Sequence, residues 1–128
     1  MTAQGHGRFW LADHGTERRD IAVIAHRFGY ALTFGIEALQ SAELLGHRCD
    51  NPLCQRADAG HVQESTAQLN RVEYERRRHT IGGPLRDRRG ARQRALEIRD
   101  ALRAGRSVEA ARLAGILADM NQLALFDT

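Results

Sequence analysis

Short apolar runs separated by polar stretches dominate the first half of the chain. Such runs predict strands at 8–12, 21–25 and 44–48, and a further short strand near Val62. The polar stretch 13–20 lies between the first two runs and predicts the turn of a hairpin. The third strand would present His47, and a loop would connect it to the fourth.

Other segments of the chain have patterns that are typical of helices. We predict a short helix at 27–34 that is ended by Gly35. A longer helix should start at the capping-box sequence 65–68 (Ser-Thr-Ala-Gln) and run to about Arg78. The Gly-Gly-Pro sequence at 82–84 then breaks it.

The sequence pattern of the last third of the chain predicts two more helices. The first spans 87–104, and its apolar stripe consists of Ala91, Ala95, Ile98 and Leu102. Ser107 can cap the second helix. The stripe of that helix could pack on the rest of the domain and consists of Leu113, Ile116, Leu117 and Met120.

The segment 47–70 concentrates residues that bind metal ions or transfer protons. Cys49, Cys54 and His61 are borderline-soft ligands suited to zinc, and the turn sequence between the cysteines folds the loop back on itself. His47 can take up a proton near neutral pH, and Asn70 offers an oxygen to a hard cation such as magnesium. Two alternatives stay open for the cysteines, which are that they are buried free thiols or that they form a disulfide.

The same segment resembles a family of nucleases. The residues that carry the resemblance are His47, Cys49, Asp50, Asn51, Pro52, Cys54, His61 and Asn70, with the upstream stretches 5–9 (Gly-His-Gly-Arg-Phe) and 25–31 (Ala-His-Arg-Phe-Gly-Tyr-Ala). They are similar to the motif of the HNH (His-Me finger, ββα-metal) endonucleases. Within that family they resemble the zinc-stabilised branch, which includes the His-Cys box homing endonucleases and phage HNH proteins. The resemblance extends over residues 5–78.

This resemblance implies a fold and a division of the chain. The fold would be α+β, a small zinc-stabilised ββα-metal unit with an N-terminal β-hairpin and an Arg-rich helical extension. The nuclease domain would occupy 1–80, with its structural zinc loop at 47–61, and the extension would occupy 85–121. The order strand, loop, strand and helix matches this unit independently of the resemblance.

The resemblance also implies a reaction, the metal-dependent hydrolysis of DNA phosphodiester bonds. His47 would act as the general base, and Asn70 would hold the catalytic Mg²⁺ or Mn²⁺. The alternative for Asn70 is an ordinary amide on a helix surface.

A structural zinc ion would need four ligands, and Cys49, Cys54 and His61 supply three of them. Many relatives have a cysteine where this chain has Gly46, so the fourth ligand must come from elsewhere. His26 is our candidate, and the alternative is that it is a helix-capping or core histidine.

The basic residues of the chain are all arginines. Residues 71–106 hold 12 arginines against five acidic residues, directly after the metal segment. Such a block is the electrostatic footprint of a protein that binds a phosphate backbone, although a solvated helix face is an open alternative. The candidate DNA-binding residues are Arg71, Arg77, Arg88, Arg92, Arg99 and Arg103.

Two functions are consistent with the sequence. The first is an HNH-type DNA endonuclease, and the second is a catalytically inactive zinc-stabilised module for DNA binding or regulation. We find neither a signal peptide nor a membrane-spanning run in the sequence. We therefore expect no membrane partner, and a cytoplasmic, nucleoid-associated protein of bacterial or phage origin.

The C-terminal stretch 122–128 resembles the peptide by which bacterial DNA-processing proteins dock on the replication sliding clamp. The residues that would make this contact are Gln122, Leu123, Leu125 and Phe126. Apolar pockets would take the three apolar side chains, and Gln122 would make directional hydrogen bonds. The alternative is that these residues continue the apolar stripe of the last helix and pack on the core.

Overall fold

The computed structural model describes residues 1–11 and 21–123 of the chain. These residues form an α+β fold with two small antiparallel hairpins and five α-helices, which confirms the predicted class. The elements are β1 (Arg8–Leu11), β2 (Ile21–Ile24), α1 (Ala25–Phe34), α2 (Ile36–Ser41), β3 (Leu44–His47), β4 (Val62–Ser65), α3 (Ala67–Arg78), α4 (Gly90–Arg103) and α5 (Val108–Leu123), with a 3-10 turn at Pro84–Arg86.

The four strands pair as two separate hairpins. Strand β1 pairs with β2, and β3 pairs with β4 so that His47 lies opposite Val62. A lone two-stranded hairpin is marginally stable in water, so each needs support from its neighbours. Helix α1 contacts both β2 and β4 and thereby connects the two hairpins.

The region between the hairpins contains a helix that the sequence did not predict. Helix α1 begins two residues earlier than predicted and ends at Gly35, whose φ of +93° is open to glycine at little cost. The chain then forms α2, whose six residues are too few to display a helical period.

Helix α3 starts one residue later than the predicted capping box implies. Ser65 is the last residue of β4 and is buried, whereas Thr66 is the N-cap and its hydroxyl accepts a hydrogen bond of 3.1 Å from the backbone N–H of Leu69. Glu43 also accepts from the backbone N–H of Ala67, at 2.8 Å. Helix α3 ends at Arg78, as predicted.

Helix α4 starts three residues later than predicted and buries a different face. The side chain of Asp87 accepts hydrogen bonds from the backbone N–H and guanidinium of Arg89, which holds the residues before Gly90 outside the helix. The buried residues of the helix are Arg94, Ala95 and Ala101. Of the predicted stripe, Ala91 and Leu102 are exposed, and only Ala95 is buried.

Contacts between α5 and the segment before α4 accompany this difference in the buried face. Gly115 of α5 lies directly against the Asp87 carboxylate, which occupies the space that a Cβ would take. Arg89 donates to the backbone carbonyl of Ala111 on the same helix, at 3.0 Å. Arg94 is buried with only 3% of its surface exposed, and it lines a cavity together with Val108 and Arg112.

The hydrophobic core of the described part is small. Its buried apolar residues are Ala25, Tyr30, Val62, Ala95, Ala101 and Ile116. Several large apolar side chains are instead exposed, among them Trp10, Leu32 and Ile36. Because this core buries little apolar surface, a bound metal ion would contribute much of the stability of the loop between β3 and β4. None of the helices in the described ranges is both long and apolar enough to cross a membrane.

Candidate metal centre and neighbouring histidines

The loop between β3 and β4, residues 48–61, folds back on itself, as the turn sequence predicts. We call it the metal loop. Its base is closed by a hydrogen bond of 2.8 Å from the backbone N–H of Arg48 to the carbonyl of His61. Inside the loop, Asn51 accepts a hydrogen bond of 3.1 Å from the backbone N–H of Leu53, and its carbonyl accepts from Cys54 at 3.0 Å. Both cysteines are thereby turned toward the side where His61 lies.

Cys49, Cys54 and His61 form a cluster that could hold a metal ion. Their ligand atoms all lie within 4.8 Å of one another, and the Cys54 Sγ is 3.4 Å from the His61 Nδ1. Both cysteines are free thiols in this structure, so a disulfide does not join them. Two sulfurs and one imidazole nitrogen are a donor set that suits a borderline-soft ion.

The two thiols differ in their readiness to ionise. A hydrogen bond from the Cys49 thiol is the main cause that lowers the pKa of Cys54 to about 6. The same contact, followed by burial, raises the pKa of Cys49 well above its usual range. Metal ions bind the thiolate form of cysteine, so a cation bound here would displace the thiol protons.

His26 does not lie with the two cysteines. The structure places it in a second cluster with His6 and His47, whose ligand atoms also lie within 4.8 Å of one another. The ring centroids are 4.7 Å apart for His26 and His47, 4.9 Å for His6 and His26, and 5.2 Å for His6 and His47. His26 is therefore not the fourth member of the cysteine cluster, because the first turn of α1 directs it toward the start of the chain and the end of β3.

His6 was not assigned a role from the sequence. A hydrogen bond of 2.9 Å from the backbone N–H of Ala25 to the carbonyl of Gly7 joins the start of α1 to the segment before β1. A Cβ on Gly7 would lie only 3.2 Å from the Cβ of Ala25, so glycine permits this close approach. The signal that could have revealed the position of His6 is the pair of glycines on either side of it, which permits a close approach of the backbone.

His47 is held in one tautomer by the metal loop. Its Nε2 lies 3.1 Å from the carbonyl oxygen of Cys54. A carbonyl oxygen only accepts, so Nε2 carries the proton and Nδ1 carries the free lone pair of the neutral ring. Burial is the main cause that lowers the pKa of His47 below its usual value, and the pKa of His26 falls to about 4 for the same reason, with further contributions from His47, His6 and Arg27.

Asn70 approaches the strand that carries His47. It lies on α3, and its Oδ1 is 3.0 Å from the position that a Cβ on Gly46 would occupy. Gly46 directly precedes His47, so the absence of a side chain at this position lets the amide lie against β3. Sequence reasoning treated Gly46 only as a missing ligand, and the structure gives it this second role.

Helix α3 is fastened to the metal loop by a network of ion pairs. The Arg77 Nε donates to both carboxylate oxygens of Asp50, at 3.0 and 3.3 Å, and the side chain of Asp50 is only 6% exposed. Glu73 accepts from Arg77 at 3.4 Å and pairs with Arg48 at 2.7 Å. The guanidinium of Arg77 is thus engaged with these carboxylates, and its contact with DNA stays a prediction.

The other candidate DNA-binding arginines lie mostly in solvent. Arg99 is partly exposed and pairs with its neighbour Asp100 at 2.6 Å. The remaining four are exposed, and within the described ranges no carboxylate forms an ion pair with them; they are Arg71, Arg88, Arg92 and Arg103. Free guanidinium groups of this kind are suited to contact phosphates.

Sequence reasoning did not single out Arg94. It lines a cavity of about 640 Å³ together with both cysteines and His61. Its Nε lies 3.7 Å from Asp87, and neither Nε nor one terminal nitrogen has a hydrogen-bond partner in the described part of the chain. A buried cation at this position would compensate negative charge on the cysteine sulfurs.

The proposed clamp-binding residues fall at the edge of what the structure describes. Helix α5 extends to Leu123, so the backbones of Gln122 and Leu123 belong to a helix. Leu125 and Phe126 lie outside the described residues. Docking on a sliding clamp stays a prediction.

Comparisons with known proteins do not assign the chain to a family. No protein-family model matches the chain. No curated protein and no solved structure matches it either.

Proposed function

We propose that the chain is a metal-dependent DNA endonuclease built on a ββα-metal unit. The unit would consist of β3, the metal loop, β4 and α3, which follow one another in the order that this fold requires. The observation that carries the proposal is the hydrogen bond between the His47 Nε2 and the Cys54 carbonyl oxygen. It gives the histidine the one tautomer in which Nδ1 is free to accept a proton.

In this proposal His47 is the general base. Its Nδ1 takes a proton from the water that attacks the scissile phosphorus, while Nε2 keeps its own proton on the Cys54 carbonyl. The lowered pKa keeps the ring neutral at pH 7, as a base requires. The carbonyl also stabilises the imidazolium that forms, because it remains a hydrogen-bond acceptor for Nε2.

Asn70 would contribute the oxygen that holds a divalent cation at the phosphate. The amide Oδ1 lies over Gly46, which directly precedes the general base in β3. A bound Mg²⁺ or Mn²⁺ would supply positive charge for the transition state and for the leaving 3′-oxygen. Helix α3 keeps the amide in place because the Arg77–Asp50 ion pair fastens it to the metal loop.

The cluster of Cys49, Cys54 and His61 would hold zinc as a structural ion. Its donor set fits, since thiolate and imidazole ligands are those that structural zinc sites use. The zinc ion would fix the loop so that the Cys54 carbonyl stays against His47. The described residues provide three ligands, and a fourth is needed to close a structural site.

Exposed arginines would bind the DNA backbone. Arg92 and Arg103 lie eleven positions apart on α4, three helical turns, and therefore share one face of the helix. Arg99 and Arg103 also border a cavity of about 420 Å³ whose opposite wall is the metal loop at 51–56. The positive face of α4 thus lies beside the loop that positions the general base, where a bound backbone would reach both.

A plasmid-cleavage assay tests the proposal. Protein of measured zinc content should convert supercoiled DNA to nicked or linear products in Mg²⁺ or Mn²⁺. His47→Ala should slow cleavage by roughly 10²–10⁴-fold, the usual contribution of a general base. Asn70→Ala should raise the cation concentration needed for half-maximal activity. His79→Ala is the matched control, because His79 is an exposed histidine at the end of α3 and should leave cleavage unchanged.

The second candidate function, an inactive DNA-binding module, is supported by the same exposed arginines. It predicts salt-dependent binding of duplex DNA by the native protein with no cleavage in any divalent cation. Cleavage that disappears in His47→Ala while binding is retained would rule this alternative out. Binding without cleavage by fully metallated native protein would rule out the nuclease.

A further inference from the structure

The chain contains a histidine cluster that the nuclease proposal uses only in part. His6, His26 and His47 bring three imidazoles together, with ligand atoms within 4.8 Å of one another. They come from three separate parts of the chain, namely the N-terminal segment, the first turn of α1 and the end of β3. This cluster is distinct from the cysteine cluster, which uses none of these three residues.

Two of the three rings have a buried nitrogen without a hydrogen-bond partner among the described residues. The Nδ1 atoms of His6 and His26 are buried, and neither has a hydrogen-bond partner among the residues that the structure describes. His26 as a whole is 8% exposed. A buried polar atom without a partner costs free energy, typically about 1–3 kcal/mol, which a ligand bound to these nitrogens would offset.

We propose that His6, His26 and His47 form a second metal site, which binds a borderline divalent ion such as Zn²⁺ through three neutral imidazoles. Neutral imidazole is a common ligand of zinc, nickel and copper, and a three-histidine set leaves a coordination position open for water or an anion. The rings already lie close together, so small side-chain rotations bring their nitrogens onto one ion.

The environment of His47 supports this assignment. A histidine that binds a metal through one nitrogen usually donates its other N–H to a carbonyl or carboxylate, which fixes the ring. The His47 Nε2 makes such a bond to the Cys54 carbonyl oxygen, at 3.1 Å. The nitrogen left for the ion is therefore Nδ1.

The site has a consequence that rests on the proposed nuclease function. The ion would occupy the same Nδ1 that accepts the proton from water. Binding of Zn²⁺ at the three histidines and general-base catalysis by His47 therefore exclude each other. Excess Zn²⁺ should inhibit cleavage even when Mg²⁺ is abundant.

Metal counting tests the second site without any assay of activity. Native protein, dialysed against buffered Zn²⁺ and analysed by plasma mass spectrometry, should hold two zinc ions per chain, one for each cluster. His6→Ala should hold one, and the matched control His79→Ala should hold two. A single zinc ion in the native protein, or two in His6→Ala, would overturn the proposal.

Nitrogen NMR of the native protein provides a second test that does not depend on how a variant folds. After one equivalent of Zn²⁺ has been bound, a second equivalent should shift the ring-nitrogen resonances of His6, His26 and His47 together. The ring of His79 should not respond. Absence of these shifts would contradict the site. If the shifts occur while Zn²⁺ leaves cleavage unaffected, the metal site stands and the role of His47 as the base fails.

Discussion

The Nε2 of His47, at the end of β3, donates a hydrogen bond of 3.1 Å to the carbonyl oxygen of Cys54, in the middle of the metal loop. A residue of the candidate metal cluster thus supplies, through its backbone, the group that orients the candidate general base. Because the sulfur of Cys54 and its carbonyl belong to one residue, an ion on the sulfur would also steady the carbonyl. The stability of the loop and the chemistry of His47 should therefore depend on the same metal.

Removal of the metal should lower the stability of the fold. An ion that binds only the folded state contributes about 4.1 kcal/mol when its free concentration is 1,000 times the Kd. We expect a zinc chelator to lower the Tm measured by differential scanning calorimetry. The double variant Cys49→Ser, Cys54→Ser should have a low Tm from the start. If the chelator lowers the Tm of native protein and double variant equally, the cysteine cluster is not the stabilising site.

The substitution Gly46→Ala should reduce activity far more than it reduces stability. A Cβ at this position lies 3.0 Å from the Asn70 Oδ1, so the amide must move away from β3. The amide must shift by a few tenths of an ångström, and a displacement of about 1 Å in a catalytic group can cost roughly 10²-fold in rate. We therefore expect a severalfold loss in kcat for DNA cleavage.

Gly60→Ala is the matched control for that variant. Its Cβ would lie 3.5 Å from the Asp58 carboxylate, which is an ordinary contact in the same loop region. We expect it to cleave at the native rate. Equal losses in both variants would mean that crowding of Asn70 is not the cause.

Acid should destabilise the metal-free protein through His26. Its pKa is about 4 in the folded protein and about 6.5 when unfolded, so the unfolded chain binds more protons between these values. The stability that comes from the neutral ring is fully present above pH 6.5 and falls as the pH drops toward 4. His26→Gln should lose this part of the pH dependence, measured as the free energy of unfolding by urea at a series of pH values. An unchanged slope between pH 6.5 and 4 would contradict the burial of His26.

Gly115→Ala should destabilise the protein, opposite to the usual effect in a helix. Alanine normally stabilises a helix interior over glycine by roughly 0.8–1 kcal/mol. At this position the Cβ would overlap the Asp87 carboxylate, so the joint between α4 and α5 must open. Overpacking of this kind typically costs about 1–3 kcal/mol. Urea unfolding measures the sign, and Ala114→Gly at the exposed neighbouring position should show only the ordinary cost of glycine.

Local signals in the sequence predicted much of the fold and part of the site. The spacing of Cys49, Cys54 and His61 predicted the cluster that the structure assembles, because the turn between the cysteines is encoded by Asp50, Asn51 and Pro52 themselves. The strands and the end of α3 were also close to their predicted bounds for local reasons.

Features that depend on distant contacts could not be predicted in this way. His26 lies beside His6, which is twenty residues earlier in the chain, because Gly7 and Ala25 approach each other closely. The buried face of α4 depends on its neighbours in the fold, because Arg94 lies among residues of α5 and of the metal loop whereas Leu102 is exposed. A helical period gives the spacing of an apolar stripe and does not say which neighbour will cover it.

Chemical rescue of a glycine variant tests the role of His47 most directly. His47→Gly leaves a space where the imidazole stood, and free imidazole added to the buffer can enter it and act as the base. With zinc content matched to the native protein, we expect His47→Gly to cleave DNA very slowly in Mg²⁺ and to regain rate in proportion to added imidazole, while native protein and Asn70→Ala gain none. Cleavage by His47→Gly at the native rate without imidazole would contradict the account, because the base would then be a different group.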